Sequence, residues 1–209
     1  MCLGFALLLA GCGGNAPVEK KMAPVAPKVD GAMPDVWRVL FDTSKGSFVL
    51  EVHKEWAPKG AERFWKLLQL GFFNNTRFFR VRPEFIAQFG LSGDPQTNSM
   101  LSASVVEDDP VKQKNVRGTL TFATRGPNTR TTQMFFNLSD NTSLDKDGFA
   151  PVGKVIEGLD VMDQLAFVYG DMPPRGGGPD PKKIQTTGYS YLDREFPRLD
   201  TITTAKVVD

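Results

Sequence analysis

The sequence is short of the residues that most enzymes use for covalent or metal chemistry. Its 209 residues include one histidine, His53, and two cysteines, Cys2 and Cys12, both at the N-terminal end. A zinc site needs about four nitrogen or sulfur ligands, which this inventory cannot assemble in the body of the chain. A nucleophile activated by histidine has one candidate base, and Val52-His53-Lys54 reads as a strand end, where a surface histidine is expected. Charge is also nearly absent in the net. At +1 for the whole chain, neither nucleic acid nor an anionic surface is indicated as a partner. No apolar run approaches the ~20 residues that span a bilayer. Tryptophan and tyrosine are sparse at 3 each, while phenylalanine stands at 16, so a core rich in phenyl rings is expected.

The N-terminal residues read as an address. Leu3 to Ala10 form a short apolar run of the length of a secretory h-region. It ends in Leu9-Ala10-Gly11-Cys12, which resembles the bacterial lipobox, in which the cysteine is lipidated and becomes the mature N-terminus. The expected division is a signal peptide over 1–11, a lipidated Cys12 with a Pro/Ala-rich tether over 12–34, and one folded domain over 35–209. Pro17, Pro24, Pro27 and Pro34 punctuate the tether, which has too little apolar surface to offset its ordering entropy.

From Val36 the pattern changes to alternation. Trp37, Val39 and Phe41 share one strand face; Phe48, Leu50 and Val52 share another beyond the Ser44-Lys45-Gly46 turn. Pro58 opens a helix with Ala61, Phe64, Trp65 and Leu68 on one side, and Gly71 closes it. Further strands are predicted over 77–82, 85–89, 118–124, 133–138, 149–155 and 201–208. A second helix is predicted near Leu159, with Met162 and Ala166 inward. Many short strands and two helices predict an all-β domain, a closed eight-stranded antiparallel barrel capped by two α-helices.

Two segments place chemistry-bearing side chains off the core. In Arg77 to Arg82, alternation turns Phe79 and Val81 inward and sets Phe78, Arg80 and Arg82 on the opposite face. Ile86 and Gln88 share a face beyond the Pro83 turn. In Gln133 to Leu138, the core set is Met134, Phe136 and Leu138, which leaves Phe135 between Gln133 and Asn137 on the polar side. A large aromatic on a polar face marks a binding surface more strongly than any buried one. Gly176-Gly177-Gly178-Pro179 reads as a flexible loop, because no strand-to-helix context makes it a phosphate cradle.

Four ordered motifs carry a family resemblance over roughly 36–208. They are Trp56-Ala57-Pro58 through Gly71-Phe72, Phe78-Phe79-Arg80-Val81 through Gln88, Thr121-Phe122-Ala123 through Phe136, and Leu144-Asp145 through Val155. Together they resemble the cyclophilins, peptidyl-prolyl cis/trans isomerases. The resemblance implies that Arg80 acts on the prolyl nitrogen and that Gln88 helps hold the arginine and the substrate carbonyl. It implies that Phe85, Ile86, Phe135, Leu144 and Phe149 wall or border a proline pocket. It implies that Ala123, Thr124 and Gln133 form the rim along which the substrate backbone lies, Thr124 through its main chain. Ser143 and Phe149 stand where many members have an aromatic residue and a histidine. No cofactor or metal is implied. The implied partners are proline-containing polypeptides, met by a monomer held to a bacterial membrane through its lipid alone, outside the cytoplasm. Two other readings stay open: a lipoprotein that holds proline segments in the same groove with little turnover, and a scaffold whose tail beyond Lys183 docks a partner.

Overall fold

The computed structural model of the chain describes Met1 and residues 32–209. The apolar run, Cys12 and the tether up to residue 31 lie outside the described residues.

The domain starts with the expected hairpin. Strand β1 (Val36–Thr43) pairs with β2 (Gly46–His53) so that Trp37 faces Val52, Val39 faces Leu50 and Phe41 faces Phe48. All six are buried. Gly46, at φ +127°, takes a backbone conformation that a side chain would strain, and this permits the two-residue turn. Helix α1 (Pro58–Gln69) then lays Ala61, Phe64, Trp65 and Leu68 on the sheet. Its N-cap residue, Ala57, has no side chain to satisfy the free amides. Asp109 does so from a distant loop, accepting from the amides of Lys59 at 3.0 Å and Gly60 at 2.9 Å. Gly71, at φ +62°, ends the helix as expected.

The remaining strands are β3 (Thr76–Arg77), β4 (Arg80–Arg82), β5 (Ile86–Phe89), β6 (Thr119–Phe122), β7 (Met134–Asn137), β8 (Pro151–Glu157) and β9 (Thr201–Val208). They form one sheet in the order β3-β9-β1-β2-β8-β6-β7-β5-β4. This corrects the expectation of a closed eight-stranded barrel. The sheet has nine strands and is an open, strongly curled half-barrel. The reason lies at Phe78-Phe79. The amide of Phe78 bonds to the carbonyl of Asp200, on the β9 side, whereas Arg80 pairs with Gln88 of β5. One stretch of chain thus supplies both edges, and it cannot form a ladder with itself. The same break corrects the predicted register there. Phe78 enters the main core with Val81, and Phe79 enters a second, smaller core.

Phenyl rings fill the main core as the composition predicts. Phe89 stacks on Phe136 at 5.4 Å between centroids, and Phe41 meets Phe136 edge-on at 5.6 Å. Such pairs contribute about 0.5–1.5 kcal/mol each beyond simple burial.

The helix count also differs from expectation. The segment near Leu159 is a 3₁₀ turn (Leu159–Gln164) with Val161 and Met162 buried and Ala166 only half-buried. Three α-helices were not predicted: α2 (Pro95–Ser102), α3 (Pro181–Thr187) and α4 (Tyr189–Glu195). They are too short, and α2 too polar, to show a clear apolar period. The tail they belong to folds back on the sheet. Ile184, Tyr191, Leu192 and Phe196 pack with Phe79 and Leu91 in the second core.

Candidate active site

Strand register builds the site. Arg80 on β4 stands opposite Gln88 on β5, Gln88 stands opposite Phe135 on β7, and Phe135 stands opposite Thr121 on β6. Ala87 and Phe89, one residue either side of Gln88, point into the core. The period of two therefore sets Ile86 and Gln88 on the other face. There the rung borders a cavity of about 450 Å³.

All ten side chains proposed from the sequence for catalysis and substrate binding line this one cavity: Arg80, Phe85, Ile86, Gln88, Ala123, Thr124, Gln133, Phe135, Leu144 and Phe149. They divide into an apolar half and a polar half. In the apolar half, Phe135 meets Phe149 edge-on at 5.7 Å. A buried polar frame fixes this wall from behind. Asn115 donates from its side-chain amide to Asp145 Oδ1 and to the carbonyl of Phe149, each at 2.8 Å. Asn141 donates to the carbonyl of Phe85 at 2.7 Å. Asn115 Oδ1 in turn accepts from Thr121 of β6 and Asn137 of β7, and Asn141 also donates to Asn137, so the Leu144–Phe149 turn and Phe85 are tied to the sheet.

The polar half centres on Arg80, whose side chain is almost entirely buried. Its Nη1 donates to Gln88 Oε1 at 3.1 Å, and Gln88 Nε2 donates to Gln133 Oε1 at 3.1 Å. Its Nε donates to Asp171 Oδ1 at 2.6 Å, and its Nη2 to Asp171 Oδ2 at 3.4 Å. Burial pushes the Asp171 carboxyl up. The Arg80 hydrogen bond and charge, the Met172 amide and the Arg82 charge pull it down further, and the net result lies below the ordinary value of 3.8. Arg82 is 3.4 Å from Asp171 and sits over the Phe85 ring. The rim follows the loop after β6. Thr124 and Thr129 share a hydroxyl hydrogen bond at 2.8 Å, and the Ala123 amide donates to the Gln133 carbonyl at 2.9 Å.

Sequence reasoning missed the far wall. Ser102, Val105, Arg125, Met172, Pro181 and Gln185 also line the cavity. Asp171 lies 91 residues from Arg80, so no local pattern could have paired them. One signal for α2 and α3 was available. Asp94-Pro95 and Asp180-Pro181 each place a capping carboxylate before a proline suited to a first turn. The carboxylates accept from the Gln96 amide at 3.2 Å and the Lys182 amide at 2.8 Å.

Among the described residues no cluster of His, Cys, Asp and Glu could hold a metal ion. The apolar lining can grip a ring on one side, and the bonded Arg80 presents a fixed guanidinium on the other.

Known proteins resemble this chain in sequence and in fold. Residues 38–186 match the family model described as cyclophilin type peptidyl-prolyl cis-trans isomerase. A peptidyl-prolyl cis-trans isomerase of Acinetobacter baylyi is 36% identical over 137 residues, which is 60% of this chain and 70% of that protein. Peptidyl-prolyl cis-trans isomerase B of Escherichia coli is 29% identical over 173 residues, 78% of this chain and 94% of that protein. A crystal structure of a Cryptosporidium parvum cyclophilin type peptidyl-prolyl cis-trans isomerase superposes with a TM-score of 0.60 at 22% identity. It covers 83% of this chain and 98% of its own. The same parasite protein has been solved in the presence of the dipeptide Ala-Pro.

Proposed function

The chain belongs to the cyclophilin-type peptidyl-prolyl cis/trans isomerases, and we propose that it turns over Xaa-Pro bonds in exported proteins and so assists their folding. An amide C–N bond resists rotation by about 18–20 kcal/mol. Before proline the two isomers differ by only about 0.5–1 kcal/mol, yet they exchange in tens to hundreds of seconds. The reaction needs no covalent step. It needs the twisted amide, with its pyramidal and basic nitrogen, to be bound better than the planar one.

Phe85, Ile86, Phe135, Leu144 and Phe149 hold the prolyl ring in this reading. Arg80 supplies N–H groups to the nitrogen as its lone pair localises, and Gln88 fixes the guanidinium. Ala123, Thr124 and Gln133 carry the substrate backbone. A fixed donor aimed at charge that develops only in the transition state stabilises that state selectively. The single observation that carries the reading is the shared rung of Arg80, Gln88 and Phe135, which sets donor and ring pocket side by side. The structure determined with Ala-Pro offers a parallel for a ligand of this size.

Export rests on the apolar run and on Leu9-Ala10-Gly11-Cys12. With Cys12 lipidated, two or more acyl chains give a stable anchor. A tether over 13–34 reaches at most roughly 70–80 Å from the membrane. The clients are then polypeptides emerging at, or lying close to, one bacterial membrane outside the cytoplasm, and the enzyme works there as a monomer. The decisive test is Xaa-Pro exchange measured by NMR on a proline peptide with catalytic amounts of the chain. Exchange cross-peaks that grow with enzyme support the reading, and an exchange rate equal to the uncatalysed one refutes it.

A further inference from the structure

We propose that Asp171 is a positioning residue for Arg80, and that Gly176 and Gly178 hold it in place. The proposal rests on the isomerase reading and names a part of the machinery outside the sheet.

A guanidinium has five N–H donors in a rigid fork. Three are committed: Nε and one on Nη2 to the two carboxylate oxygens of Asp171, and one on Nη1 to Gln88. Two N–H groups remain, one on each terminal nitrogen, for a ligand in the cavity. Gln88 alone would leave the long side chain free to swing about a single hydrogen bond. The two-oxygen contact with Asp171 fixes the plane of the fork, because two parallel bonds define an orientation and one does not. The charged groups facing Asp171 are Arg80 and Arg82, both from β4.

The backbone around Asp171 is shaped for this contact. The Gly178 amide donates to the Asp171 carbonyl at 3.0 Å. The Met172 amide donates to Asp171 Oδ1 at 2.8 Å. A Cβ at Gly176 would lie 2.4 Å from the Asp171 carbonyl oxygen and 2.8 Å from its nitrogen. A Cβ at Gly178 would lie 2.7 Å from the Gly170 carbonyl oxygen and 3.1 Å from that of Asp171. Gly177, between them, faces open space. Two of the three glycines are thus demanded by close backbone approach to Asp171, which gives the run a purpose other than flexibility.

The test uses the whole chain and three variants: Asp171→Asn, Gly176→Ala and Gly177→Ala. Turnover is read by NMR exchange, peptide affinity by titration, and guanidinium placement by the Arg80 Nε–H cross-peak. Asp171→Asn is expected to lower kcat/KM about 10- to 100-fold, the scale of a misplaced catalytic group. Peptide Kd should stay within about twofold, because the ring pocket is untouched. The Arg80 Nε–H proton should move upfield as its carboxylate partner is lost. Gly176→Ala should reproduce the loss and the shift with the carboxylate still present, and it carries the test if Asp171→Asn fails to fold. Gly177→Ala should match wild type. A shifted Arg80 signal with kcat/KM within about twofold of wild type in both Asp171→Asn and Gly176→Ala would overturn the role of Asp171 and leave the isomerase reading intact. A wild-type chain that does not accelerate exchange would overturn the isomerase reading itself.

Discussion

Arg80 and Phe135 stand on one rung of the sheet, separated by the single residue Gln88. The backbone positions that carry the guanidinium and the pocket ring therefore cannot shift relative to each other without breaking the ladder. This geometry makes the roles of the two residues separable by substitution.

Arg80→Ala should cut turnover by on the order of 10²–10³, the usual effect of losing one fixed transition-state donor. The variant should still fold. Asp171 would lose its main partner but keep Arg82 at 3.4 Å and the Met172 amide at 2.8 Å. Exchange rates and thermal melts on one sample check both halves, and an active, folded variant would refute the catalytic role.

Phe135→Ala and Phe136→Ala should part company. Phe136 touches the rings of Phe41, Phe48 and Phe89 in the main core. Its truncation is expected to cost about 3–5 kcal/mol. Phe135 borders the cavity and meets Phe149. Its loss should weaken proline-peptide binding at a smaller stability cost. Melting temperatures in the reverse order would contradict the register.

Acid should have little effect until it is strong. The folded Asp171 carboxyl ionises below its ordinary 3.8, so the native state binds fewer protons there than the unfolded chain. The pair's contribution to stability is complete above about pH 5 and is lost as pH falls below about 4. Histidine does not intervene, because His53 stacks on Trp56 at 4.3 Å and is not part of the cavity wall. A pH–rate profile flat across neutrality is expected, and an inflection there would contradict it.

Ile184→Ala tests the folded tail. Ile184 is fully buried between Phe79, Leu91 and α4. Its truncation is expected to cost about 2–5 kcal/mol. It should also raise protease cleavage between 166 and 199. A variant as stable as wild type would mean that this segment is only loosely attached.

Cys12→Ala should release the protein from membranes while leaving the exchange rate per molecule unchanged. Fractionation with intact-mass measurement checks it. Wild-type protein recovered soluble, with an unmodified Cys12, would remove the anchor from the account and leave the isomerase.

Strand alternation made much of this legible in the sequence. It separated Phe135 from Phe136, and Gln88 from Ala87 and Phe89, because those strands keep a strict period of two beside a buried face. It failed at Phe78-Phe79, where the chain changes ladder partner and both rings are buried on different sides. Periodicity cannot register a change of partner. It also could not find α3 and α4, whose seven residues each bury only Ile184 in one and Tyr191 and Leu192 in the other. Asp171 was illegible for a plainer reason. Its importance is a relationship across 91 positions, made by a loop whose path no local rule specifies.

The place of β9 has a consequence for how the protein acquires its shape. β9 runs beside β1, with Arg38 opposite Val208. One edge of β1 therefore stays bare until β9, far along the chain, docks beside it. Contacts of such wide sequence separation form slowly, and an unpaired edge invites association with other chains while it waits. The chain thus passes through a vulnerable interval as it folds, and slow docking of β9 on β1 would lengthen it.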